Sequence, residues 1–206
     1  MPDAPRVGFV LVAAGASQRM GTAKQLLPYD GVPLVRRAAS HALASGCAPV
    51  VVVVGARGDA VTAALDGLPV TVAVNPRWAE GVGTSIHAGL AALARCPDIE
   101  GVVLGLADQP FVTAPVVERL VTRWRRSGKA IAASRYAGTV GVPACFSPAG
   151  LPWLAALSPD QGCKRVILEH LDDAVLEDCP EAVADVDTPG EYELLIGARV
   201  ETRVLP

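Results

Sequence analysis

Apolar residues along the chain fall into short continuous runs that alternate with stretches of helical spacing. Residues 7–12 are apolar on both faces, as a strand in the middle of a covered parallel sheet must be. Residues 33–45 place Leu34, Ala38, Ala42 and Ala44 on one face and close at Gly46, which predicts a helix with Arg36 and Arg37 turned to water. Pro49 opens a run of five valines, 50–54, a second buried strand ended by Gly55. A short helix over 58–65 and a third strand over 70–74 follow, and Asn75-Pro76 turns the chain. Ile86, Leu90 and Leu93 recur at helical spacing, predicting a helix over 83–95 with Thr84 or Ser85 as its N-cap. A fourth strand, 101–107, runs into Asp108-Gln109-Pro110. Thr113 caps a helix whose Val116, Val117, Leu120, Val121 and Trp124 form one stripe, and 129–134 is the fifth strand.

From Arg135 the rhythm is less regular. Residues 140–146 read as a strand crossing beneath the ends of the others, with Pro143 marking an edge or a bulge. A helix over 161–171 would bury Val166, Ile167 and Leu171, and 173–178 and 181–186 read as short strands. Thr188 and Glu191 have capping-box spacing around Pro189, which starts a last helix and leaves Asp187 just outside it. Strands alternating with helices of this length specify an α/β fold, a three-layer α/β/α sandwich on a mostly parallel, Rossmann-like sheet. No linker or repeat divides residues 1–206, which read as one domain.

With 206 residues, 51% of them hydrophobic and 19% charged, the chain can bury a sizeable core. A net charge of -3 argues against a general nucleic-acid binder. The five cysteines include no CxxC pair or zinc spacing and are odd in number, which points to reduced thiols and a cytoplasmic protein. No apolar run is long enough for a membrane helix, and the first eight residues lack the features of a signal peptide.

These constraints direct attention to the end of the first strand. Ala13, Ala14 and Gly15 have almost no side chain, so a large anion could lie against their backbone N–H groups, with Arg19 and Lys24 supplying positive charge. The fourth strand delivers Asp108 to the same edge, where parallel sheets bind their ligands. The loop is neither a P-loop nor a dinucleotide fingerprint, since neither glycine pattern aligns.

The stretch LVAAGASQRMGTAK resembles the signature loop of the MobA-like nucleotidyltransferases, a group with the GT-A-like fold of nucleotide-diphospho-sugar transferases. The resemblance continues through residues 81–90, 106–110, 141–146 and 185–189 and is nearest to the MocA type, the molybdenum cofactor cytidylyltransferases. It implies that Ala13, Ala14, Gly15, Ser17, Arg19 and Lys24 wrap a triphosphate, that Asp108 binds Mg2+ with Asp187 as its partner, and that Arg19, Lys24 and Asp108 carry catalysis. It places Asn75, Gly83 and Ser85 around the nucleoside. Ser85 could equally be only an N-cap, and Asp187 only a residue favoured by the helix dipole. Residues 1–134 would then hold the nucleotide and 135–206 the second substrate, with Gln109, Gly141, Pro143 and Lys164 near the latter. Lys164 could instead be a solvated helix residue, and His87 a lone surface histidine. Ala14 and Gln109 accompany CTP in the family.

The implied activity is transfer of CMP from CTP to the phosphate of molybdopterin, with a molybdenum hydroxylase apoenzyme or its chaperone as a downstream partner. The alternatives are a GTP-dependent or sugar- or polyol-phosphate nucleotidyltransferase and an NAD(P)H-dependent reductase.

Overall fold

A computed structural model describes residues 6–96 and 98–203. The first five residues, part of the stretch read above as lacking a leader, lie outside the described residues. In chain order the elements are β1 (Arg6–Val12), β2 (Pro28–Tyr29), β3 (Val32–Pro33), α1 (Leu34–Ala44), β4 (Val50–Val54), α2 (Gly58–Ala63), β5 (Thr71–Val74), α3 (Val82–Leu93) and β6 (Ile99–Leu106). They continue as α4 (Ala114–Ser127), β7 (Ile131–Tyr136), β8 (Thr139–Phe146), α5 (Leu151–Ala155), α6 (Cys163–Glu169), β9 (Ala174–Asp178) and α7 (Pro189–Arg203).

The main sheet has the order β5-β4-β1-β6-β8-β7-β9, with every strand except β8 pointing the same way. Alternation along β1 explains the layers. Val7, Phe9 and Leu11 face one core with Val35 and Ala39 of α1 and Val117, Leu120 and Trp124 of α4. Val10 faces the other, with Ile86 of α3, Leu154 of α5 and Val166 and Ile167 of α6. Each fully buried Val, Leu, Ile or Phe among them contributes about 1.5–3 kcal/mol, so the apolar runs find their stable place in the sheet's interior. Ligands are therefore left the ends of the strands.

β8 lies between β6 and β7, so the amino- and carboxyl-terminal parts share one sheet. Its register on β7 slips between Ala133 and Ser134, opposite Pro143, which is the bulge the proline suggested. The proline does not mark an edge. Two-residue turns with positive φ, at Asp30-Gly31 and Ala137-Gly138, close the β2–β3 and β7–β8 hairpins.

Several expectations are corrected. Residues 181–186 are not a strand. Pro180–Val183 form a 3-10 turn, because Cys179 and Ala182 pack on Val116 and the Ala182 carbonyl is bonded by Gln109 rather than by a neighbouring strand. Ala44 is exposed, and Leu171 is exposed beyond the end of α6. Arg36 and Arg37 do not simply face water: Arg36 donates to the Ala64 and Asp66 carbonyls, and Arg37 donates to Pro110 O at 3.1 Å and stacks over Tyr29. No helix among the described residues is long and apolar enough to cross a membrane.

Candidate active site

At the end of β1 the Ala13 N–H still donates to Val53 O at 2.9 Å, and the chain then leaves the sheet as a loop that braces itself. Gln25 is buried and donates through Nε2 to Gly15 O at 2.7 Å. The Ser17 hydroxyl donates to Gln25 Oε1 at 3.3 Å and accepts the Lys24 N–H at 3.2 Å. Ser17 holds a left-handed conformation, φ 55°, just before the 3-10 turn Gln18–Met20. Met20 packs with Tyr29, Leu34 and Val186, so this residue anchors the loop rather than taking part in its chemistry.

The opposing wall comes from the end of β6. The Val186 N–H donates to Asp108 O at 3.1 Å, drawing the stretch before α7 against β6 and setting Asp187 beside Asp108. The capping box is formed. Glu191 Oε2 accepts the Asp187 and Thr188 N–H groups at 2.9 and 2.8 Å, and Thr188 Oγ1 accepts the Glu191 N–H at 3.3 Å. Capping is thus done by Thr188 and Glu191, and the Asp187 carboxylate is left to face the loop.

Lys24 lies between the two carboxylates. Its Nζ pairs with Asp108 Oδ2 and, at 2.5 Å, with Asp187 Oδ1, while Arg19 holds Asp187 Oδ2 at 2.5 Å. Burial opposes the Lys24 charge, but the two carboxylates outweigh it and raise the lysine's pKa. Burial likewise opposes ionisation of Asp187, and Lys24 and Arg19 outweigh that and lower its pKa. Asp185 is pushed up, first by burial and then by the charges of Asp187 and Asp108.

Beside this cluster is a cavity of about 200 Å³ lined by Ala13, Gly15, Lys24, Gln25, Trp78, Ser85 and Asp108, among others. A Cβ added at Gly15 would meet nothing within 4 Å, so this face of the loop is open to a ligand. Ala14 lies behind it, buried in the core on the α3 side, with its carbonyl accepting the Ala56 N–H. A larger groove, about 820 Å³, runs between α4 and β9 and contains none of these residues.

Other expected residues are positioned for support. Asn75 is buried and donates to Thr84 Oγ1 and Ser85 Oγ at 2.9 and 3.0 Å, while its Oδ1 accepts the Arg77 N–H. Neither Thr84 nor Ser85 caps α3. Gly81 holds the N-cap position, and the Thr84 hydroxyl donates to the Gly81 and Arg77 carbonyls. The Gly83 amide donates to Pro159 O at 2.8 Å, so it is committed to the loop above α3. Ser85 remains on the cavity wall.

Just beyond β6, Gln109 is buried and reaches the carboxyl-terminal part, its Nε2 donating to Ala182 O at 3.1 Å and Val142 O at 3.3 Å. Gly141 and Pro143 are buried in β8; Tyr136 Oη passes so close to Gly141 that a Cβ there would come within 2.3 Å. Lys164 is exposed on α6 and lines a shallow surface depression, separate from the cluster around Lys24. His87 is not a lone surface residue: it is half-buried, with Nε2 3.1 Å from Leu154 O.

Gln25 and Trp78 were not singled out from the sequence. Gln25 had one signal, an amide between Lys24 and the apolar pair Leu26-Leu27, where a buried polar group needs partners.

Whether this cluster suits a divalent cation can be tested on its own atoms. Asp108 Oδ1 is buried and has no hydrogen-bond partner among the described residues, a bare hard-oxygen acceptor on the carboxylate that pairs with Lys24. Among the described residues no group of three or more His, Cys, Asp or Glu side chains could hold a metal by itself. Two carboxylates completed by substrate phosphates match the way magnesium is commonly held, so the residues fit the ion.

Comparison with known proteins gives this geometry a context. Residues 9–175 match the MobA-like NTP transferase domain. Nicotine blue oxidoreductase of Paenarthrobacter nicotinovorans is 42% identical over 124 residues, 60% of this chain and 59% of that one, so the match spans about three fifths of that relative's length. The solved structure of an Rv0371c homologue from Mycobacterium sp. strain JC1 superposes with a TM-score of 0.80 at 33% identity, covering 96% of this chain and 98% of that one. Rv0371c of Mycobacterium tuberculosis H37Rv in complex with manganese gives 0.71 at 28% identity, covering 94% and 99%. Because the domain match runs from β1 to the start of β9 and includes both the Gly15–Lys24 loop and Asp108, the chain belongs to the MobA-like NTP transferase family.

Proposed function

We propose that this nucleotidyltransferase moves CMP from CTP to the terminal phosphate of molybdopterin, with magnesium held by Asp108 and Asp187. The observation that carries the reading is the meeting of Lys24, Asp108 and Asp187 at the sheet edge beneath the open face of Gly15. The acceptor phosphate oxygen forms a bond to the α-phosphorus as the bond to the bridging oxygen breaks, and pyrophosphate leaves with that electron pair. Arg19 and Lys24 neutralise charge that spreads over the phosphate oxygens, and the braced loop holds them in place, so that catalysis is orientation plus electrostatic stabilisation. Asp108 and Asp187 would hold a magnesium ion, which would supply further neutralisation of the triphosphate charge. Ala13, Ala14, Ser17, Asn75, Gly83 and Ser85 shape the nucleotide half, in residues 1–134. Gly141, Pro143 and Lys164, in the 135–206 half, meet the second substrate together with Gln109, which the turn after β6 contributes from the other half. The manganese complex of the mycobacterial relative supports a divalent ion in this family, and the Ala14 side chain, buried behind the loop, supports a nucleotide preference set by loop shape.

Pyrophosphate release measured with CTP, GTP and molybdopterin tests the reading, CTP alone with molybdopterin being the expected productive pair. Activity with GTP only overturns the cytidine assignment, and activity with a sugar or polyol phosphate in place of molybdopterin overturns the acceptor. The similarity to an oxidoreductase gives a second reading some weight. Consumption of NADPH without any nucleotide transfer would establish that reading instead.

A further inference from the structure

The chain's own cation stands between the carboxylates assigned to the metal. Lys24 Nζ pairs with both Asp108 Oδ2 and Asp187 Oδ1, and Arg19 takes the remaining oxygen of Asp187, so that three of the four carboxylate oxygens are engaged by protein cations. Lys24 and Arg19 offset the charges of Asp108 and Asp187 in a partly buried cluster, with the Asp185 carboxyl group near enough to feel both carboxylates. A lone divalent cation entering it would meet Lys24 at close range in a setting of reduced dielectric, where like-charge repulsion is strong. A nucleoside triphosphate reverses this balance by bringing more negative charge than its metal brings positive. The cavity lies on the Gly15 side of Lys24, and Lys24 itself lines it, so the lysine has an adjacent place to move toward phosphate.

We propose that Lys24 is a built-in competitor for the metal site, an ion-pair lock that keeps Asp108 and Asp187 closed to divalent cations until a nucleoside triphosphate draws the ammonium onto its phosphates. The proposal rests on the assignment of Asp108 and Asp187 as metal ligands. Its consequence is an obligatory coupling: the nucleotide-free protein binds a divalent cation poorly, and nucleotide and metal enter together. Arg19 contributes less to the lock, because its side chain is 71% exposed and water screens its charge.

Mn2+ titration of the nucleotide-free protein, read by the electron paramagnetic resonance signal of the free ion, tests the lock without requiring turnover. Lys24→Met should bind Mn2+ at least about tenfold more tightly than the unaltered protein, since it leaves Asp108 without a cation and Asp187 with Arg19 alone. Lys24→Arg should bind as the unaltered protein does, and Lys24→Met with Asp108→Asn should lose the gain. A second measurement needs no variant. Water-proton relaxation enhancement by Mn2+ should be weak with the unaltered protein alone and rise when CTP or GTP is added. Equal Mn2+ affinity of the unaltered protein and a folded Lys24→Met overturns the lock, as does full relaxation enhancement without nucleotide. If Asp108→Asn and Asp187→Asn leave the nucleotide-dependent enhancement unchanged, the ligand assignment itself is overturned, and the lock with it.

Discussion

Asp108 has one carboxylate oxygen paired with Lys24 and one buried without a partner among the described residues, an arrangement that costs stability and lies on the wall of a cavity. Asp108→Asn should lower turnover about a hundredfold or more, as loss of an electrostatic stabiliser of a transition state does, while leaving the melting temperature close to that of the parent; pyrophosphate release and thermal melting check both halves. Asp187 makes a different prediction. Its folded pKa lies below the ordinary carboxylate value, so its pairing with Lys24 and Arg19 stabilises the fold above that ordinary value, and this contribution is lost as the pH falls through the depressed one. The difference in melting temperature between the parent and Asp187→Asn should therefore be full near neutrality and close in strong acid. Lys24, whose pKa is raised, adds stability present below the ordinary lysine value and lost as the pH rises through the raised one.

At the scale of elements, two glycines of the site are retained for opposite reasons. A Cβ on Gly83 would lie 2.3 Å from Ser158 O and 3.0 Å from Gln161 O, both backbone atoms, so Gly83→Ala must push α3 away from the loop over residues 158–161. That should cost about 1–3 kcal/mol in denaturant unfolding. Gly15→Ala meets nothing, so it should leave the unfolding midpoint unchanged and act only on nucleotide affinity, measured by calorimetric titration. The buried strands were legible because a run such as 50–54 is stable only with both faces covered. Residues 181–186 misled because a short, mostly apolar stretch does not reveal that Ala182 packs with Val116 and gives its carbonyl to a side chain. The short helix α5 was not anticipated, since a five-residue element carries too little periodicity to announce itself.

For the molecule as a whole, the sheet and its two helical layers enclose most of the thiols. Cys47, Cys145, Cys163 and Cys179 are buried and Cys96 is half-buried; none is bonded to another. Burial pushes the Cys163 thiol up to about 12 and raises Cys47, Cys145 and Cys179 as well, so these stay protonated and unreactive near neutral pH. A colorimetric thiol assay on the native protein should therefore register Cys96 alone as a fast site and all five cysteines after denaturation.

Periodicity and composition were enough for the layered α/β architecture, because burying apolar surface is the dominant favourable term and its pattern is written along the chain. They also marked the Gly15–Lys24 loop and Asp108, whose small and charged residues stand out at the ends of apolar runs. What no linear reading could supply is the company these residues keep. Lys24 and Asp187 are 163 positions apart in sequence and 2.5 Å apart in space. They are joined because the Val186 amide bonds to Asp108 and Tyr192 anchors α7 to Pro28 O at 2.7 Å. Pairings of that kind depend on where separate elements dock, and so Asn75 and Gly83 became supports while Gln25 and Trp78, unremarked in the sequence, came to line the cavity.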